Sequence, residues 1–237
     1  MIVENIHDVQ KKIKEACKRA GREETEVTLI AVSKTKPVSM ILEAYQAGMR
    51  EFGENKPQEL RDKARELDFP LNWHMIGNLQ KNKIKYVVGT ACMIHSIDSV
   101  SLAEAVNAEA EKKGTRCDIL LEVNIAAEDS KHGFNPEQIE ETVRILCRCK
   151  NLRIRGIMTV APYTENAEEN RMYFRKMHEI LIDINHKNID NIFMDVLSMG
   201  MTSDYEVAIE EGATMVRVGT GIFGERMYPQ KDNQGKK

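Results

Sequence analysis

Val27-Thr28-Leu29-Ile30-Ala31-Val32-Ser33-Lys34-Thr35-Lys36-Pro37 contains one complete strand-to-helix step. Val27 to Val32 is a continuous apolar run, the pattern of a strand covered on both faces, as parallel strands are in α/β proteins. Pro37 stops that strand and suits the first position of a helix. Lys34 therefore stands at the carboxyl end of a strand, with its amine above the sheet. In a barrel enzyme that is the place for a covalent anchor to an aldehyde cofactor. The ordinary role of such a lysine is a solvated charge, and the rest of the chain decides between the two.

The same step recurs on both sides of this stretch. Upstream, Ile2, Ile6, Val9 and Ile13 follow helical spacing, Ala16, Cys17 and Ala20 extend the stripe, and Gly21 ends it. Downstream, Met40, Ile41, Ala44 and Tyr45 predict a helix stopped by Gly48, then a strand over 49–54 and a charged helix over 56–67. Further strands are expected over 73–77, 93–97, 117–125, 154–160, 196–198 and 215–218. Helices are expected between them: over 79–88, after a cap at Asp98 or Ser99, after Asn135-Pro136, and over 165–185. Ser203-Asp204-Tyr205-Glu206 has the form of a capping box opening a last helix that ends at Gly212.

Eight strands alternating with helices, without a Pro/Gly/Ser-rich linker, predict one (β/α)8 TIM barrel with an extra N-terminal helix. An open doubly wound sheet is the competing α/β arrangement. The barrel is expected over residues 1–228, with a disordered polar tail over 229–237.

Composition narrows the function classes. Of 237 residues 42% are hydrophobic and only 5% aromatic, so the core is built mainly from Ile, Leu, Val, Met and Ala. The net charge of -3 is mixed along the chain, which argues against a nucleic-acid footprint, and Lys81 to Lys85 reads as a solvated face. The first twenty residues interleave apolar and charged side chains, unlike a signal peptide, and no apolar stretch approaches the roughly 18 residues of a membrane span. Five cysteines lack a paired CxxC spacing, which suits a reducing cytoplasm. No cluster has metal-ligand spacing, so no metal is expected.

In a barrel the chemistry sits where strands end. Those ends hold Lys34, Asn55, His74 to Gly77, Ser96, Asn124, Met158-Thr159, Ser198-Met199-Gly200 and Arg217-Val218-Gly219-Thr220. Barrels often bind phosphate with the loops after their last two strands, where Gly200, Gly219 and Gly221 let the backbone approach an anion and Ser198 and Thr220 add hydroxyls. An amine, a phosphate cradle and Arg217 on one rim describe a pocket for pyridoxal 5′-phosphate (PLP). Gly219-Thr220-Gly221-Ile222-Phe223-Gly224 also spells G-x-G-x-x-G. Pro229 interrupts the residues beyond it and no acidic residue stands roughly 20 positions on, so a dinucleotide site is excluded. His74 and His95 are as ordinary in a core as in a pocket. Lys131-His132-Gly133-Phe134 reads as a surface turn or a mobile rim loop, and Glu51, Glu54, Glu59 and Glu66 form no carboxylate dyad.

Ala31 to Pro37, Phe52-Gly53-Glu54-Asn55, Trp73 to Lys83, Leu197-Ser198-Met199-Gly200-Met201 and Val216 to Gly224 together resemble the pyridoxal phosphate homeostasis protein family. Its fold is similar to the barrel domain of alanine racemase, and the resemblance spans nearly the whole chain. It implies that Lys34 is the Schiff-base lysine, that Ser198, Gly219 and Thr220 hold the phosphate, and that Arg217 faces the pyridine nitrogen. Asn55 and His74 would line the pocket. Lys36 would either help PLP on and off Lys34 or stay at the surface. The resemblance further implies a cytosolic monomer that keeps PLP available, with no catalytic residues of its own. A separate reading is a module that hands PLP to apo-enzymes, for which the sequence shows no docking motif.

Arg217 favours a carrier over an enzyme. A fixed cation against the ring nitrogen disfavours its protonation and makes PLP a poorer electron sink. Alanine racemase adds a tyrosine base from a second domain, for which this sequence leaves no residues after strand eight. The alternative is a single-domain amino-acid racemase using Lys36, Tyr163 or a partner subunit as the second base.

Overall fold

In the computed structural model, which describes residues 1–128 and 131–225, Thr28–Val32 (β1) pairs in parallel with Glu51–Glu54 (β2) on one side and Met215–Val218 (β8) on the other. Between them Asn72–Met75 (β3), Met93–Ile97 (β4), Cys117–Glu122 (β5), Leu152–Met158 (β6) and Val196–Ser198 (β7) follow in chain order. The sheet closes into a barrel ordered β1 to β8, which excludes the open sheet. Closure places Ile30 opposite Arg217 and Val32 opposite Gly53, so Lys34 and the loop after β8 share one rim.

Alternation along each strand then divides two cores. Leu120 packs with Met93, Met158, Val196 and Met215 in a small cluster, while its neighbours Ile119 and Leu121 join the large layer under the helices. That layer is completed by Val38–Gln46 (α2), Pro57–Glu66 (α3), Val100–Lys112 (α4), Ile139–Leu146 (α5), Arg171–His186 (α6), Tyr205–Glu210 (α7) and the short Thr220–Phe223 (α8). The extra helix, Ile2–Arg19 (α1), buries Ile2, Ile6, Val9, Ile13, Ala16 and Cys17 and packs on α7 and α8. Each large apolar side chain so buried contributes roughly 1.5–3 kcal/mol, enough to bind α1 to the barrel. Asn5 Nδ2 also donates to the Ile222 carbonyl at 2.9 Å, fastening α1 to the segment after β8.

Three local expectations change. The helix expected over 79–88 is a 3-10 helix, Lys81–Tyr86. An α-helix would set Lys81 and Lys85 one turn apart without an acidic partner, a repulsive arrangement; Ile84, Val87 and Val88 are buried all the same. The Ser203 to Glu206 capping box does not form. Asp204 holds the cap position and turns back instead, accepting from the Met201 N–H at 2.7 Å and from Asn170 Nδ2 at 2.9 Å. Short 3-10 turns, Pro136–Gln138 and Ala167–Asn170, precede α5 and α6. The polar tail over 229–237 lies outside the described residues.

Candidate functional site

The amine of Lys34 is carried on a turn that its neighbours hold from below. The Ser33 N–H donates to the Gly53 carbonyl and the Lys36 N–H to the Ser33 carbonyl, both at 3.0 Å. Thr35 takes φ 64, a left-handed conformation rare for a β-branched residue. Its N–H is held by Glu59 Oε1 at 2.7 Å. From α3, Lys63 Nζ donates to the Ser33 carbonyl and Glu54 Oε1 at 2.8 Å and to Glu59 Oε1 at 2.7 Å. Ser33 Oγ donates to Glu54 Oε1 at 2.6 Å. Burial pushes the Glu54 carboxyl up, and the Lys63 charge opposes it. Glu54 and Glu59, which form no dyad, thus support the turn on either side of Lys34, Glu54 through the Ser33 hydroxyl and Lys63, and Glu59 through the Thr35 N–H.

Above this turn, at the carboxyl ends of the strands, lies a cavity of about 480 Å³. Its lining includes Lys34, Asn55, Arg217, Gly219 and Thr220, five of the residues expected to meet here. Asn55 is set by the chain beside it: a Cβ on Gly77 would lie 2.5 Å from the Asn55 carbonyl oxygen, so only glycine lets the loop after β3 pass. Asn55 Oδ1 is buried without a hydrogen-bond partner among the described residues. Arg217 is 4% exposed and donates through Nη1 to Ser198 Oγ at 2.6 Å and through Nη2 to the Thr159 carbonyl at 2.8 Å. Burial pulls its pKa down to about 10, against the carboxylates of Glu122 and Asp204, and it remains a cation at neutral pH.

Two expected residues do not line the cavity. Ser198 is fully buried, its hydroxyl between Arg217 and His95 Nδ1, the latter at 3.0 Å. His74 lies deeper, bonded to His95 Nε2 at 2.9 Å and to Glu51 Oε2 at 2.7 Å. Strand alternation separates inside from outside but does not say how far along the barrel axis a side chain sits.

Met201, Thr202 and Ser203 do line the cavity and were missed, although they directly follow Gly200. Gly200 has φ +87, and a Cβ there would lie 2.6 Å from Ala208 Cβ, so the loop after β7 folds tightly onto α7. Thr202 Oγ1 accepts from the Gly221 N–H at 3.3 Å, tying the loops after β7 and β8 together. Lys36 also reaches the cavity, but its Nζ donates to the carbonyls of Phe223 and Gly224 at 3.0 Å and Glu225 at 2.8 Å, clamping the end of α8. Tyr163 stands on the rim, 89% exposed. The Lys131 to Phe134 segment is stitched to β5: the Phe134 N–H donates to the Glu122 carbonyl at 2.8 Å, and Phe134 is buried. Among the described residues no helix is long and apolar enough to cross a membrane.

The family profile of the alanine racemase N-terminal domain matches residues 5–227. The chain is 43% identical over 226 residues to the pyridoxal phosphate homeostasis protein of Aquifex aeolicus, covering 95% of this chain and 98% of that one. It is 40% identical over 228 residues to the protein of that name in Pseudomonas aeruginosa, covering 96% of each. The structure of PipY from Synechococcus elongatus with PLP bound superposes with a TM-score of 0.82 at 34% identity, over 94% of this chain and 100% of PipY. A barrel closed by β8 beside β1, the lysine turn between them and nearly full-length identity to these relatives agree: the chain belongs to the pyridoxal phosphate homeostasis protein family, with the fold of the alanine racemase N-terminal domain.

Proposed function

We propose that this protein binds PLP at the carboxyl rim of its barrel through Lys34 and takes part in PLP homeostasis as a carrier, with no substantial catalysis of its own. The observation that carries this is the convergence of Lys34, Arg217 and the loops after β7 and β8 on one cavity of about 480 Å³. Its size falls within the usual range for small-molecule sites. The donor set matches the groups of PLP one by one. The Lys34 amine suits the aldehyde; Thr202, Gly219 and Thr220 suit the phosphate; Arg217 suits the ring nitrogen; and the unpartnered Asn55 Oδ1 offers an acceptor to a ring substituent. The amine nitrogen of Lys34 adds to the aldehyde carbon and one water leaves, so attachment needs no oxidant or reductant and reverses on hydrolysis.

PLP supplies an electron-withdrawing ring when bound. The charge that Arg217 carries at neutral pH beside its nitrogen limits that capacity, which suits storage better than turnover. The free thiols of Cys17, Cys92, Cys117, Cys147 and Cys149 fit a reducing cytoplasm. Within this proposal the protein is a cytoplasmic monomer that passes PLP to apo-enzymes. Tyr163 on the rim keeps a racemase as the second reading, because it lines the same cavity as Lys34. Titration with PLP, followed by visible absorbance, should give a chromophore that Lys34→Ala lacks. Chiral assays across the common amino acids should give no turnover; robust turnover lost in Lys34→Ala would establish the racemase instead.

A further inference from the structure

Five side chains stand in single file through the barrel. Glu51 Oε2 is 2.7 Å from His74 Nε2, and His74 Nδ1 is 2.9 Å from His95 Nε2. His95 Nδ1 is 3.0 Å from Ser198 Oγ, which is 2.6 Å from Arg217 Nη1. The file begins where β2 begins and ends at the cavity wall. Glu51 is half-buried; the other four are buried.

Each end of the file has one role. A guanidinium only donates, so Ser198 Oγ accepts from Arg217. An ionised carboxylate only accepts. Burial pushes the Glu51 carboxyl up, but hydrogen bonds from His74 and Asn72 outweigh it and hold its pKa below the ordinary value. His74 therefore donates from Nε2. A neutral imidazole has one donor and one acceptor, so His74 Nδ1 accepts from His95 Nε2, and His95 Nδ1 accepts from the Ser198 hydroxyl. Burial, the largest cause, and the nearby Arg217 cation keep His95 neutral. In this arrangement every proton in the file has one acceptor, and all point from the cavity toward Glu51. The reverse arrangement would aim both His95 and Arg217 at Ser198 Oγ and leave the serine proton no acceptor in the file.

We propose that Glu51, His74 and His95 are positioning residues for Arg217, forming a one-way hydrogen-bond relay that commits Ser198 as its acceptor and fixes the guanidinium at the cavity wall. Successive bonds polarise one another, so the carboxylate at the far end offsets part of the buried cation's charge. The relay deepens the PLP reading, on which only the use of Arg217 toward the ring depends. It also accounts for His74, which sequence resemblance placed in the pocket and the structure places beneath it. Cys92 Sγ lies 3.6 Å from His74 Nε2, and Glu51, His74 and Cys92 have ligand atoms within 4.8 Å of one another. A divalent cation there would need the lone pair of Nε2 and would reverse both imidazoles, so metal binding and the relay are mutually exclusive predictions.

Long-range proton–nitrogen NMR of the ligand-free, histidine-labelled protein reads the tautomers directly. The relay predicts neutral Nε2–H forms for both His74 and His95 near neutral pH. In Glu51→Ala the His74 tautomer should lose its lock, the Arg217 signals should shift, and PLP affinity should fall about fivefold, the loss expected for one weakened hydrogen bond. The pKa of the bound chromophore should fall as well, because a less compensated cation disfavours a second positive charge. An Nδ1–H or charged form at either histidine in the native protein would overturn the relay. So would a Glu51→Ala variant with unchanged Arg217 signals and affinity, or Zn2+ binding that Cys92→Ser abolishes. The native tautomers decide the relay even if Glu51→Ala does not fold. Absence of PLP binding would defeat the proposed function and leave the tautomer result standing.

Discussion

Lys63→Met would remove the cation beneath the Lys34 turn while keeping most of its aliphatic stem. Lys63 Nζ lies 2.8 Å from Glu54 Oε1, with side-chain exposures of 8% and 0%. At that separation Coulomb's law gives about 6 kcal/mol for an effective dielectric of about 20, before the cost of desolvating both groups. Removing one partner of such a buried pair costs about 3–5 kcal/mol, because the other is left charged and unpaired. Glu54 would keep only the Ser33 hydroxyl, on Oε1, while its Oε2 has no hydrogen-bond partner among the described residues. Its remaining route to neutrality is protonation. Burial raises the Glu54 pKa and Lys63 opposes that rise, so the substitution should raise it further. A carboxyl whose folded pKa exceeds its unfolded value favours the folded state below the unfolded pKa, and the benefit is lost as pH climbs through the folded pKa. The loss in Lys63→Met should therefore be smallest near the ordinary carboxylate range of about pH 4–5 and largest at alkaline pH. Denaturant unfolding at both extremes, with thermal melts lowered by roughly 10 °C at the alkaline end, measures it. Adding Glu54→Gln should recover part of the stability. A loss under about 1 kcal/mol, or one independent of pH, would refute the assignment of this pair as the support of the turn.

Other substitutions test the rest of the site. Gly200→Ala places a Cβ 2.6 Å from Ala208 Cβ at φ +87, so it should cost about 1–3 kcal/mol in unfolding experiments; an unchanged midpoint would contradict the tight loop. Lys36→Met leaves the carbonyls of Phe223, Gly224 and Glu225 without their donor, and stopped-flow release of PLP should accelerate; an unaltered rate would remove the clamp. Burial, then the Glu51 charge, pushes the Cys92 thiol up to about 12. Although exposed, Cys92 should react with Ellman's reagent on the order of a thousandfold more slowly than a free thiol near pH 8, and reaction at the free-thiol rate would refute that environment.

The strands were legible because each is a short apolar run ended by a turn residue or a change of periodicity, and β4, β7 and β8 fall where the sequence places them. The helix over 79–88 was misread because its apolar spacing suits either helix type, and only its lysines speak against the α form. Lys34, Asn55, Arg217, Gly219 and Thr220 were legible as strand ends and meet in one cavity. Thr202 was legible in principle, two positions past Gly200. The Ser33–Glu54–Lys63 support and the Glu51-to-Arg217 relay were not. Their members lie on different strands and helices, with hydrogen-bonded neighbours up to 103 residues apart, as His95 and Ser198 are, and no local pattern reports a contact made only when the barrel closes.

Borohydride reduction of the PLP-loaded protein, followed by peptide mapping, tests the central assignment most directly. A single reduced pyridoxyl group on Lys34 is the predicted result. A label on Lys36 or on any other lysine, or no label at all, would contradict it.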